Sequence, residues 1–266
     1  MSKLNLYQLS MLITMRCTLK CKLCLVGAPY YKPMPHYDIR EMFHSSSKIL
    51  DVAHIEKMSV SGGEPLIHED LTNYLNLLLG RRDDFDKIEI TTNATLLPGG
   101  ELVDCCRQNK DKIYFLISDY GPSLSTKCKE LAGLLDEHGI PYKYRSYYGD
   151  DMYFGGWVDF LDMSPKGRTD EETEAVFQKC GFSKSHRHFV LMGTELALCH
   201  RIFRCRQQGY FSKEFKELLD LSDETISPLF LSGWLAEMDI PKRFSYCDNC
   251  PGYGDGVLRY PAAEQL

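Results

Sequence analysis

What this sequence lacks narrows its class before any motif is read. None of its apolar runs approaches the ~18 residues that a membrane-spanning helix needs. The first residues do not form a signal peptide. Ser10 and Thr14 interrupt the apolar stretch 9–15, and no small-residue cleavage site follows. These absences predict a cytoplasmic protein with no membrane partner. Excess positive charge is missing too: 31 Lys and Arg stand against 37 Asp and Glu, a net charge of −6. That balance argues against a broad nucleic-acid surface. There is no internal repeat and no low-complexity segment, and the histidines show no ligand spacing. Only His200, beside Cys199, falls near a candidate site.

Cysteine is the residue in excess, with 11 in 266 residues. A secreted disulfide scaffold would be shorter and would carry a signal. In a reducing compartment this many thiols points to metal or redox chemistry, so their spacing becomes the main evidence.

Over the first 160 or so residues, strand signals alternate with helix signals. Strands are expected at 9–15, 57–61, 87–92, 113–118 and 141–146, with a sixth at 157–161. Helices are expected from an Asp38 cap to about residue 53, at 69–79 with Gly80 as the stop, at 101–109, and from a Ser125 cap to Gly139. This alternation is the signature of a parallel sheet with helical crossovers. Five or six such units predict an α/β fold, a partial (β/α)5-6 barrel with chemistry at the C-terminal strand ends. The pattern changes near residue 165, where the charged stretch 166–174 reads as a linker or a helix start. This predicts a barrel over 1–165 and a small α+β unit over 166–266. In that unit, 188–192 and 195–199 read as a hairpin turning at Gly193–Thr194. Residues 213–219 read as helical, and Ser227–Pro228 as the start of another helix.

Cys17, Cys21 and Cys24 form a C-x3-C-x2-C loop after the first strand. Three thiolates this close can converge on one soft metal centre. A four-iron cluster on three cysteines keeps one iron open to a small molecule, whereas structural zinc takes four protein ligands. With these residues in view, the chain resembles the radical S-adenosylmethionine (SAM) superfamily. The resemblance implies a [4Fe–4S] cluster whose open iron chelates the amino and carboxylate groups of SAM. One electron then cleaves SAM to a 5′-deoxyadenosyl radical that abstracts a substrate hydrogen. An electron donor such as flavodoxin or ferredoxin is implied as a partner.

Other positions fit the same family. Leu23 stands where an aromatic residue usually packs near the adenine, and it still offers an apolar surface. Gly62-Gly63-Glu64 is similar to the family's GGE motif. The glycines allow close backbone approach to a ligand, and Glu64 accepts from the methionyl ammonium. Thr91-Thr92-Asn93 resembles the common Thr-Asn-Gly, with Ala94 in place of glycine. Ser118 is expected near the ribose of SAM. Ordinary turn chemistry explains Asn93 and Ser118 equally well. Arg145 is a candidate for the SAM carboxylate or an acidic substrate group, and Asp159 for a substrate hydroxyl or amine. Surface salt bridges are the competing reading for both.

Cys180, Cys199, Cys247 and Cys250 can make a second, complete thiolate set. On chemistry alone it suits zinc or an iron–sulfur cluster. The order of cysteine, hairpin, cysteine, helical insert and C-x2-C is similar to the twitch (SPASM-like) auxiliary-cluster domain. Among twitch enzymes the layout is nearest to dehydrogenases of 2-deoxy-scyllo-inosamine. A full SPASM domain needs about seven cysteines, so one auxiliary [4Fe–4S] cluster is implied, two clusters in all. Cys205 is left over as an alternative ligand to Cys199, a hydrogen donor or an ordinary thiol. Cys105, Cys106 and Cys128 read as packing residues.

The leading expectation is a radical SAM oxidoreductase acting on a small polar molecule such as a sugar or cyclitol, with the auxiliary cluster taking an electron. Epimerisation of a sugar or peptide, with Cys205 returning hydrogen, is a second reading. Peptide maturation is a third, although the chain starts at its first barrel strand and has no room for a leader-binding domain. A zinc-bound scaffold is the non-enzyme alternative.

Overall fold

The computed structural model describes residues 3–150, 152–181, 188–210, 216–240 and 242–266. The chain runs β1 (Leu4–Thr14), α1 (Ile39–Val52), β2 (Ala53–Gly62), α2 (Leu71–Leu79), β3 (Phe85–Thr92), α3 (Gly100–Gln108), β4 (Ile113–Asp119), α4 (Cys128–Glu137) and β5 (Tyr142–Ser146). It continues through α5 (Asp170–Gln178), β6 (His188–Met192), β7 (Glu195–Leu198), α6 (Arg201–Gln207), β8 (Leu218–Asp220) and α7 (Pro228–Asp239).

All eight strands form one sheet in the order β5-β4-β3-β2-β1-β6-β7-β8. The pairs from β5 through β1 to β6 are parallel, and β6–β7 and β7–β8 are antiparallel. The mixed α/β architecture with an incomplete parallel barrel is the one expected. The expected hairpin is present as β6–β7, and it continues the barrel sheet at the far edge of β1.

Side chains alternate across the sheet, and each strand divides its residues sharply. Leu9, Met11, Met58, Val60, Ile88, Ile90, Phe115 and Ile117 are buried in the apolar core that includes residues of α1 to α4. The opposite face of these strands carries Gln8, Ser10, Lys57, Ser59 and Glu89, which line a cavity together with Arg145 of β5. A barrel whose inner face is polar is built to hold something polar rather than to fill itself with side chains.

Several boundaries differ from expectation for identifiable reasons. β1 begins five residues early, because residues 4–8 pair with β2 and β6 beyond the apolar run. Residues 157–161 make no strand: Trp157 forms only an isolated bridge with Tyr260. The sixth parallel position is taken by β6. Ser125 does not cap α4, whose first residue is Cys128. Its hydroxyl instead serves the turn after β4, accepting from Tyr120 N at 2.9 Å and donating to Ser118 O at 3.3 Å. Of the expected helix 213–219, residues 213–215 lie outside the described residues and 218–219 are strand, paired to β7. Asp38 caps α1 through Arg40 N and Glu41 N, and Ser227 caps α7 through Phe230 N. Among the described residues, no helix is long and apolar enough to cross a membrane.

Candidate active site

The cysteine loop leaves the C-terminal end of β1 and is held by its neighbour β2. Gly63 N donates to Thr14 O at 2.7 Å and Glu64 N to Arg16 O at 2.9 Å. A Cβ on Gly62 would lie 2.2 Å from Thr14 O, and one on Gly63 would lie 2.1 Å from Arg16 O. The glycine pair is therefore demanded by backbone-to-backbone packing beneath the cysteine loop. Gly62 also has φ +137, a conformation that L side chains rarely adopt.

Cys17, Cys21 and Cys24 line one wall of a cavity of about 510 Å³. Leu23, Gly62, Gly63, Asn93, Ser118 and Arg145 line the same cavity, so the fold brings most of the expected site together. Glu64 and Asp159 do not line it. Glu64 is wholly buried, accepting from Thr92 Oγ1 at 2.9 Å, Leu66 N at 3.1 Å and Asn93 N at 2.8 Å. Burial pushes its carboxyl up to about 7, against the downward pull of those donors. Its effect is to tie the end of β2 to the end of β3. Asp159 accepts from Leu161 N at 2.8 Å, closing a local turn. Cys205 is buried on α6 and lines neither this cavity nor the second cysteine pocket.

Each thiol in the loop has a donor aimed at it. Asn93 Oδ1 accepts from Thr95 N at 3.0 Å, which turns its amide nitrogen toward Cys17 Sγ at 3.6 Å. Gln265 Nε2 donates to Cys21 Sγ at 3.4 Å, and backbone groups of Ala28, Val26 and Gly27 surround Cys24. Burial nonetheless dominates, pushing Cys17 up to about 11 and Cys21 up to about 12. Only a bound cation makes such a set favourable as thiolates. Ala94 adopts φ +53, the left-handed geometry that costs a non-glycine residue roughly 1–2 kcal/mol. That explains why glycine is the usual residue there.

The segment 264–266 was invisible to sequence reasoning. It pairs along the cysteine loop, with Lys22 N donating to Glu264 O at 2.7 Å and Leu266 N to Lys20 O at 2.9 Å. The polar inner strand residues were also missed. Their signal was the polar phase of the alternation in β1, β2 and β3.

Cys180, Cys199, Cys247 and Cys250 converge on a second, small pocket of about 30 Å³. Cys199 has φ +86, a strained geometry of the kind that persists at functional positions. Arg201 is buried among these sulfurs, with Nη1 3.3 Å from Cys199 Sγ. Burial alone would lower its pKa, but Cys199 and Cys250 outweigh it and the guanidinium is held charged. A buried fixed cation suits a pocket designed for net negative charge.

No three cysteine sulfurs among the described residues lie mutually within 4.8 Å. Tetrahedral zinc bonded at 2.3 Å draws its thiolates to about 3.8 Å of one another. All-sulfur donor sets of this kind suit zinc or an iron–sulfur cluster. His36, His68 and Glu69 do group within that distance, but as a brace. His68 uses both nitrogens, one to Tyr37 O at 3.0 Å and the other accepting from Asp70 N at 3.2 Å. His36 stacks on His68 with centroids 4.1 Å apart.

Residues 11–122 match the radical SAM superfamily. The chain is 24% identical over 180 residues to the GTP 3′,8-cyclase of Campylobacter lari, covering 67% of this chain and 53% of that protein. It is 33% identical over 97 residues to the GTP 3′,8-cyclase of Campylobacter jejuni strain RM1221, covering 36% and 29%. The chain thus spans about half or less of the length of these curated relatives. Among solved structures, BtrN in complex with AdoMet and 2-DOIA superposes with a TM-score of 0.56 at 13% identity, covering 90% of this chain and 87% of that one. Polyhistidine-tagged anSMEcpe with bound AdoMet gives 0.56 at 13%, covering 96% and 92%. At this identity the likeness is one of fold.

Proposed function

We propose that this protein is a radical SAM oxidoreductase acting on a small polar molecule, with residues 1–165 as the radical barrel and 166–266 as an auxiliary-cluster unit. Cys17, Cys21 and Cys24 ligate the SAM cluster. Cys180, Cys199, Cys247 and Cys250 ligate a second [4Fe–4S] cluster, with Cys199 preferred to Cys205 because Cys205 lies outside the pocket. Together the cofactors supply a 5′-deoxyadenosyl radical that removes a substrate hydrogen, and an acceptor for the electron left behind.

The observation that carries this reading is a shared wall. Tyr253 lines both the main cavity and the second cysteine pocket. His200, next to Cys199, and Gly181, next to Cys180, also line the cavity. An electron acceptor held by those four cysteines stands one side chain from the substrate.

The protein's own groups place and isolate the reaction. Asn93 and the glycine pair fix the cysteine loop, while Leu23 and Ser118 shape the SAM side of the cavity. Tyr120 packs edge-on against Trp157 at 5.5 Å and beside Tyr147 at 5.2 Å, an aromatic wall of the cavity. Epimerisation requires a hydrogen donor facing the cavity, and Cys205 does not face it, so oxidation is favoured.

The test is iron and sulfide per chain in anaerobically purified protein, for wild type and for a Cys17, Cys21, Cys24 triple alanine variant. About eight irons falling to about four is expected. An external one-electron donor, flavodoxin or ferredoxin, should then support deoxyadenosine formation and an oxidised sugar or cyclitol. Four irons with one retained zinc would remove the electron acceptor and overturn the oxidoreductase reading.

A further inference from the structure

The two cysteine sets differ in what their sulfurs touch. At the loop after β1, the side chains that donate to sulfur are amides: Asn93, 3.6 Å from Cys17 Sγ, and Gln265, 3.4 Å from Cys21 Sγ. Both are uncharged. In the second pocket the side-chain donor is a cation, with Arg201 Nη1 3.3 Å from Cys199 Sγ. Arg201 is the first residue of α6 and is only 3% exposed. It lines the pocket together with Cys180, Cys199, Cys247 and Cys250.

Aromatic rings fix the guanidinium in that place. Its Cζ lies 3.9 Å from the ring centroid of Phe160 and 5.2 Å from that of Tyr253. Phe160 is itself buried, and Tyr253 is the wall shared with the main cavity. Rings at these distances hold a cation by their faces. Arginine suits the position better than lysine, because its planar fork can stack and donate at once and keeps its charge when desolvated. Backbone amides serve two of the other sulfurs: Phe244 N donates to Cys247 Sγ at 3.2 Å and Gly252 N to Cys250 Sγ at 3.3 Å.

In a buried site the effective dielectric is below that of water, so a fixed charge acts on its neighbours more strongly than at a surface. One electron added to a group held by four thiolates adds one negative charge. A guanidinium beside those thiolates stabilises the more negative state, and net charge and hydrogen bonds to sulfur are what set a cluster's potential.

We propose that Arg201 tunes the second cysteine site for electron uptake, raising the reduction potential of the [4Fe–4S] cluster held there. It acts through the cluster: among the described residues lining the main cavity, Arg201 is absent. The closed set is thereby biased toward accepting the electron that a substrate radical gives up, whereas the uncharged amides bias the open set less. This inference rests on the reading of the four cysteines as ligands of an iron–sulfur cluster.

The test is a redox titration of the anaerobically purified, iron-replete full chain, followed by electron paramagnetic resonance. Wild type, Arg201→Gln, Arg201→Met and Arg201→Lys are compared, and the Cys17, Cys21, Cys24 triple alanine protein assigns the signal of the second set. The two uncharged variants should shift the reduction equilibrium of that cluster at least tenfold toward the oxidised state, a fall of about 59 mV for one electron. Arg201→Lys should recover most of the fall, because the charge remains while the fork is lost. The potential of the first cluster should not move, and iron per chain should match wild type. An unchanged potential in the uncharged variants overturns the proposal, since Arg201 then serves packing alone. An equal fall in Arg201→Lys overturns it as well, because the fork and not the charge is then the cause. Loss of the second cluster from both uncharged variants makes Arg201 an assembly residue and also overturns it. Wild-type protein with about four irons and one zinc overturns instead the cluster reading beneath the proposal, so the two failures are distinct.

Discussion

The two cysteine sets are built from the same ligand chemistry but differ in what surrounds them. Cys17, Cys21 and Cys24 come from one short loop and open onto a cavity of about 510 Å³. Cys180, Cys199, Cys247 and Cys250 come from three separate places in the chain and close on about 30 Å³, with a buried arginine among them. The open set has room for a second molecule beside its metal. The closed set has far less. Openness, rather than the identity of the donors, is what distinguishes the two sets.

The comparison breaks most sharply if the closed set is removed. A Cys247→Ala, Cys250→Ala protein should lose about half its iron and all oxidised product while still cleaving SAM. Loss of SAM cleavage as well would mean that the two sets are not separable.

A smaller effect concerns the brace under the open set. Glu64 titrates at an ordinary 4.5 when unfolded and at about 7 in the fold. The folded state therefore holds this proton more tightly. The stability it contributes is full below about 4.5 and is lost as pH rises through about 7, on the order of 3 kcal/mol. Urea unfolding at pH 4.5 and pH 8 should show this decline in wild type and not in Glu64→Gln; equal slopes would refute it.

The smallest effect is expected at Gln265. Replacing it with leucine removes the donor to Cys21 Sγ and the acceptor for Lys20 N. The reduction potential of the open-set cluster should fall by about 60 mV or less, equivalent to a tenfold one-electron change. A redox titration followed by electron paramagnetic resonance reads this directly. No shift would make the 264–266 segment a purely structural strap.

Local pattern was enough for β1 to β5, the intervening helices and the cysteine loop. Strand alternation, caps such as Asp38 and ligand spacing are all carried by residues within a turn or two of one another. It was not enough for residues 157–161, which have a strand-like composition but found only Tyr260 as a partner. Nor did it reveal that Glu64 is sealed beneath the site instead of lining it. The GGE spacing is the same whether the carboxylate faces the cavity or the ends of β2 and β3.

The sequence by itself therefore determined the barrel and the cysteine loop, because each follows from periodicity or short spacing. Only the tertiary structure decided that β6 extends the barrel sheet, that residues 264–266 brace the cysteine loop, and that Tyr253 stands between the two cysteine sites. It also decided that Lys57, Glu89 and Arg145, spread over three strands, face one space. These depend on which strands become neighbours, a choice settled by long-range pairing and burial of the whole sheet rather than by any local signal.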